Sequence, residues 1–295
     1  MRVAVLGVGL IGGSVALAAR ERAGATVSGY DRSPEALAQA LERGVLDRAC
    51  DDVASAVSDA EAVFVAAPVS ALDGLVGEAL EHAPDDCVVT DVGSTKRAVV
   101  AAHADPRFVG GHPLAGAETA GVANARGDLF VDATWYLTPD ARTNGECYER
   151  LHRLLHAFGA RPAAIEPEAH DRMLATVSHL PHVLANLLVA QALRSAPAVS
   201  AGGPLAGVGV NPSFRDATRV AGANTAVWTD IYLANADLLA EAIDEAIREL
   251  SGVRDALDAE DAEALASWND SAREGRERLN GGEAAGLRPD AARDS

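Results

Sequence analysis

The first 31 residues contain the pattern that most constrains the fold of this chain. An apolar run from Val3 to Leu6 enters Gly7-Val8-Gly9-Leu10-Ile11-Gly12, and a second apolar run from Thr26 to Tyr30 ends at Asp31. In a βαβ unit, three such glycines allow a tight turn, close approach of a pyrophosphate and close packing of the helix on the sheet. The pattern therefore predicts a dinucleotide site, in which Asp31 accepts hydrogen bonds from a ribose and disfavours a 2'-phosphate. The predicted cofactor-binding residues of this segment are Gly7, Gly9, Leu10, Ile11, Gly12 and Asp31.

A secretory signal peptide is the alternative interpretation of the same segment, because Arg2 precedes an apolar stretch that ends in small residues. Four glycines interrupt that stretch. Cleavage would also remove the first strand and turn of the βαβ unit in which Asp31 is predicted to contact a ribose. A membrane-spanning helix needs about 20 apolar residues. Neither this stretch nor any later one is expected to meet that requirement, so we expect no membrane segment.

Composition narrows the class of protein. A chain of 295 residues is long enough for about two domains. Its formal net charge of -18 argues against a nucleic-acid partner, because most of the surface would repel a phosphate backbone. The three cysteines have no CxxC spacing, which is typical of a reducing compartment. We therefore expect a cytoplasmic protein with a small-molecule substrate.

Short β-type runs alternate with helical stretches in the first half of the chain, a pattern that predicts an α/β Rossmann-type, doubly wound parallel sheet. After Ile165 almost every segment is helical, which predicts a following all-α domain. The predicted domains are a dinucleotide-binding Rossmann domain, residues 1–165, and a helical substrate and dimerisation domain, residues 166–280. Residues 281–295 are predicted to be a disordered tail. The predicted strands are Val3 to Leu6, Thr26 to Tyr30, Ala62 to Ala66, Val88 to Asp91, Phe108 to Gly110, Thr134 to Leu137 and Arg161 to Ile165.

Three long helices are predicted in the second part of the chain: Glu168 to Arg194, Trp228 to Leu250 and Ala259 to Leu279. Pro181 lies inside the first of them and is expected to bend it or to mark a junction.

Candidate chemistry follows the strands, because ligands of open α/β sheets lie at the carboxyl edge. Pro68, Ser94 and His112 all fall there. His112 is the candidate base, because imidazole titrates near neutrality and can take a proton from a hydroxyl as hydride leaves the same carbon. Ser94 is expected to hydrogen-bond either the imidazole or that hydroxyl. A turn histidine held by backbone groups is the structural alternative for His112.

Two further groups of side chains lie in the helical region. His179, His182 and Asn186 would share one helical face if the helix continues through Pro181. They can form a binding site or be core histidines; a metal site lacks a third ligand, since His170 is expected on the opposite face. Arg215 and Arg219, four residues apart, can be a solvated face or can direct one guanidinium to a carboxylate.

The ordered set of motifs resembles the prephenate/arogenate dehydrogenase family in its monofunctional form, and the likeness extends from Val3 to about Leu250. The motifs are Gly7 to Gly12 with Gly29-Tyr30-Asp31, Asp91-Val92-Gly93-Ser94-Thr95-Lys96, Gly111-His112-Pro113-Leu114-Ala115-Gly116 with Glu118 and Gly121, Ser178-His179-Leu180-Pro181-His182, Asp216-Ala217-Thr218-Arg219 and Trp228-Thr229-Asp230-Ile231.

The resemblance implies NAD-dependent oxidative decarboxylation of prephenate to 4-hydroxyphenylpyruvate in tyrosine biosynthesis. It implies His112 as the group that deprotonates the C4 hydroxyl, with Ser94 in support. It implies Arg219 as the ligand of a substrate carboxylate, and Pro68 beside the cofactor. The other implied substrate-binding residues are His182, His179, Glu118 and Gly116. A homodimer formed through the helical domain, without a chorismate mutase segment or a regulatory ACT domain, is also expected.

Three alternatives stay open from the sequence. An arogenate or dual-specificity cyclohexadienyl dehydrogenase would share every motif. A β-hydroxyacid dehydrogenase would share the layout but use a lysine of the second domain as base, and the helical region has no lysine. A non-catalytic NAD-sensing regulator would bind the cofactor without a need for His112 and Arg219 to converge.

Overall fold

The computed structural model describes residues 1–116, 119–195 and 211–286. The chain forms two compact units, Met1–Leu239 and Ala240–Ser295. The first unit contains the sheet, the helices that cover it and the first helices of the region after residue 165. The second contains most of the last two helices.

One eight-stranded sheet forms the centre of the first unit, in the order β3-β2-β1-β4-β5-β6-β7-β8. Adjacent strands are parallel except β6 and β7, which are antiparallel. The order of the first six strands is that of a doubly wound dinucleotide-binding fold. The strands are β1 Arg2–Leu6, β2 Thr26–Tyr30, β3 Arg48–Ala49, β4 Ala62–Val65, β5 Val88–Asp91, β6 Phe108–Pro113, β7 Thr134–Thr138 and β8 Arg161–Ala164.

Helices connect the strands and then follow them. A π-helical turn, Ala175–His179, joins α7 to α8, and short 3-10 turns occur at Val122–Asn124 and Arg219–Gly222. The helices are α1 Leu10–Ala23, α2 Pro34–Glu42, α3 Val53–Val57, α4 Val69–His82, α5 Arg97–Ala102, α6 Gly145–Ala157, α7 Pro167–Leu174, α8 Leu180–Ser195, α9 Pro212–Thr218, α10 Thr225–Ala234, α11 Ala236–Asp258 and α12 Ala262–Gly286.

Both faces of the sheet are buried, as the continuous apolar runs predict. Along β1, Val5 packs into one hydrophobic cluster and its neighbour Leu6 into the other. Four aromatic rings fill the first cluster, with Phe64 and Trp135 in edge-to-face contact at 6.1 Å between ring centroids. Burial on both sides makes the sheet a rigid platform for the residues at its carboxyl edge.

The predicted sheet needs three corrections. β3 was not predicted, because two residues are too few to give a periodic signal. β6 continues beyond Gly110 to Pro113, so His112 lies inside a strand and pairs with Tyr136 of β7. That pairing is antiparallel, whereas a parallel sheet was expected. An antiparallel edge strand on an otherwise parallel sheet is common in this class of fold.

The helix after residue 165 changes character before Pro181, where a bend or junction was predicted. Proline has no N–H to donate to the residue four positions earlier, and the π turn ends two residues before it. Similarly, the predicted helix Trp228 to Leu250 is divided at Asn235 into α10 and α11.

The helical segment Pro167–Arg194 contains an 18-residue window with a mean hydropathy of 1.4, so by length and composition alone it is apolar enough to cross a membrane. The prediction that no later segment reaches this threshold is therefore wrong. This window contains no long unbroken apolar run, because single polar residues are interspersed among its Leu, Ala and Val residues. Within this stretch, α8 leaves Leu187, Leu188 and Leu193 exposed.

The two compact units do not coincide with the predicted domains, whose limit at residue 165 stays a prediction. α7 begins at Pro167, yet it and the following helices to Leu239 belong to one compact unit with the sheet. The tail prediction for residues 281–295 is wrong where it can be checked, because α12 continues to Gly286. An existing helix elongates at low cost through Glu and Ala, which are good helix formers. Residues 287–295 lie outside the described residues.

Candidate active site

The glycine-rich turn has the geometry that its sequence predicts. Gly7 adopts a φ of +96°, and a Cβ there would lie 2.3 Å from the Ala66 carbonyl oxygen. A Cβ on Gly12 would lie 1.9 Å from the carbonyl oxygen of Gly7, so only glycine lets α1 pack this closely. Gly9 has open space around its missing side chain and directly precedes the first residue of α1. The helix terminus is therefore open to an anion.

A cavity of about 560 Å³ opens at this turn. Predicted cofactor residues Gly9, Leu10, Ile11, Gly12 and Pro68 line it. Its walls are mainly apolar, its volume suits a small cofactor, and the unobstructed Gly9 gives a pyrophosphate access to the backbone amides. The residues present thus fit the adenine dinucleotide that the motif predicts.

Asp31 has a structural contact that the sequence did not reveal. Its two carboxylate oxygens accept hydrogen bonds from the Val8 amide at 2.7 Å and the Ser33 amide at 2.8 Å. Asp31 therefore holds the glycine-rich turn, while each oxygen retains a second lone pair for a ribose hydroxyl. Gly7 and Asp31 do not line the cavity wall themselves.

Two alanine substitutions should separate packing from binding at this turn. Gly12→Ala forces a Cβ against the Gly7 carbonyl, so we expect a loss of about 1–3 kcal/mol of folding stability. Gly9→Ala meets no atom within 4 Å, so we expect an unchanged melting temperature and about tenfold weaker NAD⁺ binding. Thermal unfolding and calorimetric titration with NAD⁺ measure the two effects. A melting temperature that falls as far for Gly9→Ala as for Gly12→Ala would contradict this division.

A second cavity, of about 290 Å³, joins the first. Four residues line both cavities: Ser94, Ala115, Trp228 and Ile231. His112 and His179 line only the second cavity. The candidate base therefore lies next to the end of the cofactor cavity. This is where a substrate ring would meet a nicotinamide.

His112 is the first member of a buried chain of three side chains. Its Nδ1 lies 2.9 Å from Nε2 of His170, whose Nδ1 lies 2.7 Å from Oδ1 of Asp171. His112 is 8 % exposed, and the other two are fully buried. Burial lowers the pKa of His112 well below its ordinary value, and repulsion from His170, Lys96 and His179 lowers it further. His112 is therefore neutral at pH 7 and can act as a base.

Asp171 is fixed by the backbone that leads into α5. Its carboxylate accepts hydrogen bonds from the Lys96 amide at 2.7 Å and the Arg97 amide at 2.9 Å. Burial raises the pKa of Asp171, but the hydrogen bonds from His170 and from these amides outweigh burial and leave the pKa below its ordinary value. Asp171 is thus ionised, and it joins α7 to the carboxyl edge of the sheet.

Lys96, the only lysine in the chain, is fully buried and forms an ion pair with Asp91. Asp91 also accepts hydrogen bonds from the amide of Gly93, in the loop that carries Ser94, and from the amide of Gly111 in β6. Sequence reasoning missed His170, Asp171 and the role of Lys96. The adjacent pair His170-Asp171 at the start of a helix was the available signal.

His170 was expected on the helix face opposite to His179, and this is wrong. Both imidazoles are buried, and Asn235 connects their surroundings by donating to the Asp171 carbonyl at 2.8 Å and contacting His179 Nδ1 at 3.2 Å. The π turn between the two histidines has a wider repeat than an α-helix, which rotates His179 relative to α7. Among the described residues, no group of three or more His, Cys, Asp or Glu has a metal-binding arrangement.

The remaining predicted residues divide into four groups. His182 and Arg219 line the cofactor cavity, and the His182 ring stacks on Trp228 with 3.3 Å between centroids. Gly116 also lines this cavity, whereas Arg215 is exposed and is not part of its wall. Glu118 lies outside the described residues. Burial lowers the pKa of His179 to about 4, so this side chain is a neutral wall of the second cavity.

Comparisons with known proteins agree with this geometry. Residues 15–164 match the model of the prephenate dehydrogenase nucleotide-binding domain. Residues 166–270 match the model of the prephenate dehydrogenase dimerization domain. Together the two models span nearly all of the sheet and most of the helices after it.

Individual relatives cover most of the chain. It is 38 % identical to a prephenate dehydrogenase of Bacillus subtilis over 94 % of its own length and 76 % of the relative's. It is 35 % identical to a cyclohexadienyl dehydrogenase of Zymomonas mobilis, over 89 % and 90 % of the two lengths. The crystal structure of A. aeolicus prephenate dehydrogenase with hydroxyphenyl propionate and NAD⁺ matches with a TM-score of 0.86 and 27 % identity, over 95 % of this chain and 98 % of that one.

Proposed function

This chain belongs to the prephenate dehydrogenase family, and we propose that His112 is the base with which it oxidises and decarboxylates prephenate. It is an NAD-dependent oxidoreductase with a nucleotide-binding sheet followed by helices. One observation carries the assignment of the base. The buried chain His112–His170–Asp171 ends at the second cavity, which shares wall residues with the cavity at the glycine-rich turn.

The chemistry requires a small number of groups. NAD⁺ accepts the hydride from C4 of the substrate ring. His112 takes the proton of the C4 hydroxyl, which leaves a carbonyl. The bond between C1 and its carboxylate then breaks, its electron pair enters the ring, and the oxygen takes the proton back as a phenol. Ser94 lines both cavities, and we propose that it hydrogen-bonds the hydroxyl or the imidazole. Because aromatisation drives the reaction, the main task of the protein is to align C4 of the substrate with the cofactor and to polarise the C4 hydroxyl.

The anionic groups of the substrate need a cation in the cavity wall. Arg219 begins the 3-10 turn after α9 and lines the cavity, and a guanidinium can hold a carboxylate with two parallel hydrogen bonds. His182 lies on the same wall, and its stacking on Trp228 fixes its ring. Both residues are proposed to bind substrate, as is Gly116. We propose the same role for Glu118 from its place in the motif alone.

Prephenate is favoured over arogenate by the charges on the cavity walls. Among the described residues that line either cavity, the ionisable ones are Arg219, His112, His179 and His182, with no carboxylate. A keto acid with two carboxylates suits the potential of these described residues better than a substrate that adds an ammonium group, whereas a carboxylate from Glu118 would suit the ammonium group. Arogenate is the second candidate, because the Zymomonas mobilis relative is a cyclohexadienyl dehydrogenase.

An assay of cofactor reduction, crossing prephenate and arogenate with NAD⁺ and NADP⁺, tests the proposal. We expect prephenate with NAD⁺ to give the highest kcat/KM. We expect NADP⁺ to be poorer by at least about tenfold, because Asp31 would repel a 2'-phosphate. Higher efficiency with arogenate would reverse the substrate preference. Reduction with none of the four pairs would contradict the enzymatic function.

Assembly and compartment are part of the same proposal. The apolar residues that α8 exposes, Leu187, Leu188 and Leu193, are proposed to be covered in a homodimer. The match to a dimerization-domain model supports this arrangement. We place the enzyme in the cytoplasm, in accordance with its three free, buried cysteines.

A further inference from the structure

The hydrogen-bond chain behind His112 fixes the position of every proton in it. Asp171 is ionised and can only accept, so Nδ1 of His170 carries the hydrogen in their 2.7 Å contact. The facing nitrogens of His170 and His112 are 2.9 Å apart and share one hydrogen, which we assign to Nδ1 of His112, so that Nε2 of His170 accepts it. Nε2 of His112, on the other side of its ring, is left with a free lone pair. The chain thus sets the tautomer that a base requires.

His112 is a poor place to keep a positive charge. It is buried, and the ammonium group of Lys96 is close enough to lower its pKa, as is His179. His170, by contrast, touches the Asp171 carboxylate directly. Moving a proton from His112 to His170 therefore brings the positive charge into direct contact with an anion.

We propose that His170 is a positioning residue that also receives a proton in each turnover, so that the two imidazoles act as a relay ending at Asp171. The inference rests on the proposed function. As the O–H bond of the C4 hydroxyl breaks, a bond forms from its proton to Nε2 of His112. At the same time the Nδ1–H bond of His112 breaks, and that proton bonds to Nε2 of His170. Both transfers reverse when the aromatic product takes its hydroxyl proton back, so no external acid or base is needed.

The surroundings of His170 suit this role. The ring of Tyr136 packs on it edge-to-face at 5.8 Å between centroids, so the imidazole is shielded from water. The Tyr136 hydroxyl is directed to Met173 instead of to the relay. Titratable or charged groups face the relay from each element packed on it. They are Lys96, which directly precedes α5, Arg97 of α5, His112 of β6, Tyr136 of β7, Asp171 of α7 and His179 of the π turn. Of these, Lys96 is neutralised by Asp91, and Arg97 by Asp237.

A proton inventory tests the relay. The kcat/KM of the wild-type enzyme for prephenate is measured at saturating NAD⁺ in mixtures of H₂O and D₂O, on the pH-independent plateau. Two protons moving together give a curved dependence on the deuterium fraction, whereas a single transfer to His112 gives a straight line. We expect curvature, and a straight line for the wild-type enzyme overturns the relay. Failure of the wild-type enzyme to oxidise prephenate would instead overturn the proposed function.

The matched variant is His170→Gln, whose amide oxygen can still accept from Nδ1–H of His112 but cannot take up a proton. We expect kcat to fall about 100-fold, KM for prephenate to change less than about threefold, and the inventory to become linear. A kcat near the wild-type value, or a curved inventory in the variant, overturns the proposal. If His170→Gln does not fold, Asp171→Asn replaces it, because a neutral amide removes the negative charge that stabilises a protonated His170, with the same expected and contrary results.

Discussion

Replacement of His112 by Asn is expected to lower kcat for prephenate by about 10³-fold while leaving NAD⁺ affinity within about twofold of the wild type. The imidazole is the proposed acceptor of the hydroxyl proton, and an amide cannot take its place. His112 lines the second cavity and not the wall of the cofactor cavity, so cofactor binding should survive. Steady-state kinetics and calorimetric titration with NAD⁺ measure the two quantities. His156→Asn, at an exposed position on α6, is the matched control and should behave as wild type.

The pH dependence of the wild-type enzyme gives a second check on His112. Its lowered pKa keeps the base unprotonated as the pH falls through the ordinary range for histidine. We therefore expect kcat/KM to stay level from pH 7 downward and to fall only below the ordinary histidine pKa. A descending limb centred at or above that value, together with kcat in His112→Asn close to the wild-type value, would remove this residue from the mechanism.

Arg219→Ala is the second substitution with a large expected effect. Loss of the proposed carboxylate ligand should raise KM for prephenate about 100-fold, equivalent to about 2.7 kcal/mol, with a smaller change in KM for NAD⁺. Lysine at this position should recover only part of the loss, because an ammonium group cannot form the two parallel hydrogen bonds of a guanidinium.

Arg215→Ala provides the control for this measurement. Arg215 lies one helical turn before Arg219, carries the same charge, is exposed and is not part of the cavity wall. The net charge of the two variants is therefore equal. An equal increase in KM from both substitutions would indicate a general electrostatic effect, and would contradict a specific role for Arg219.

Local sequence patterns predicted the parts of this fold that depend on local backbone requirements. Gly7 and Gly12 could be assigned their roles because a positive φ and a close helix contact admit no side chain. Short β-type runs between helical stretches located seven of the strands, and Pro181 marked the π turn that precedes it. These signals are short-range, so they can be recognised without tertiary information.

The missing parts depend on contacts between distant segments. His112 and His170 are separated by 58 residues, and the Lys96 amide and Asp171 by 75. No periodicity in the sequence connects such positions. The π turn also shifts the helical faces, so α-helical spacing placed His170 on the wrong face relative to His179. The antiparallel pairing of β6 with β7 likewise places His112 in a strand instead of a loop, and only the register between strands reveals it.

The central claim is that His112 withdraws the proton from the hydroxyl that loses its hydride. A crystal structure with NAD⁺ and an analogue that retains the ring hydroxyl tests this claim most directly. The account predicts about 2.6–3.2 Å between Nε2 of His112 and the hydroxyl oxygen, with the Nδ1 contact to His170 preserved. An imidazole turned away from that oxygen and beyond hydrogen-bonding reach would contradict it.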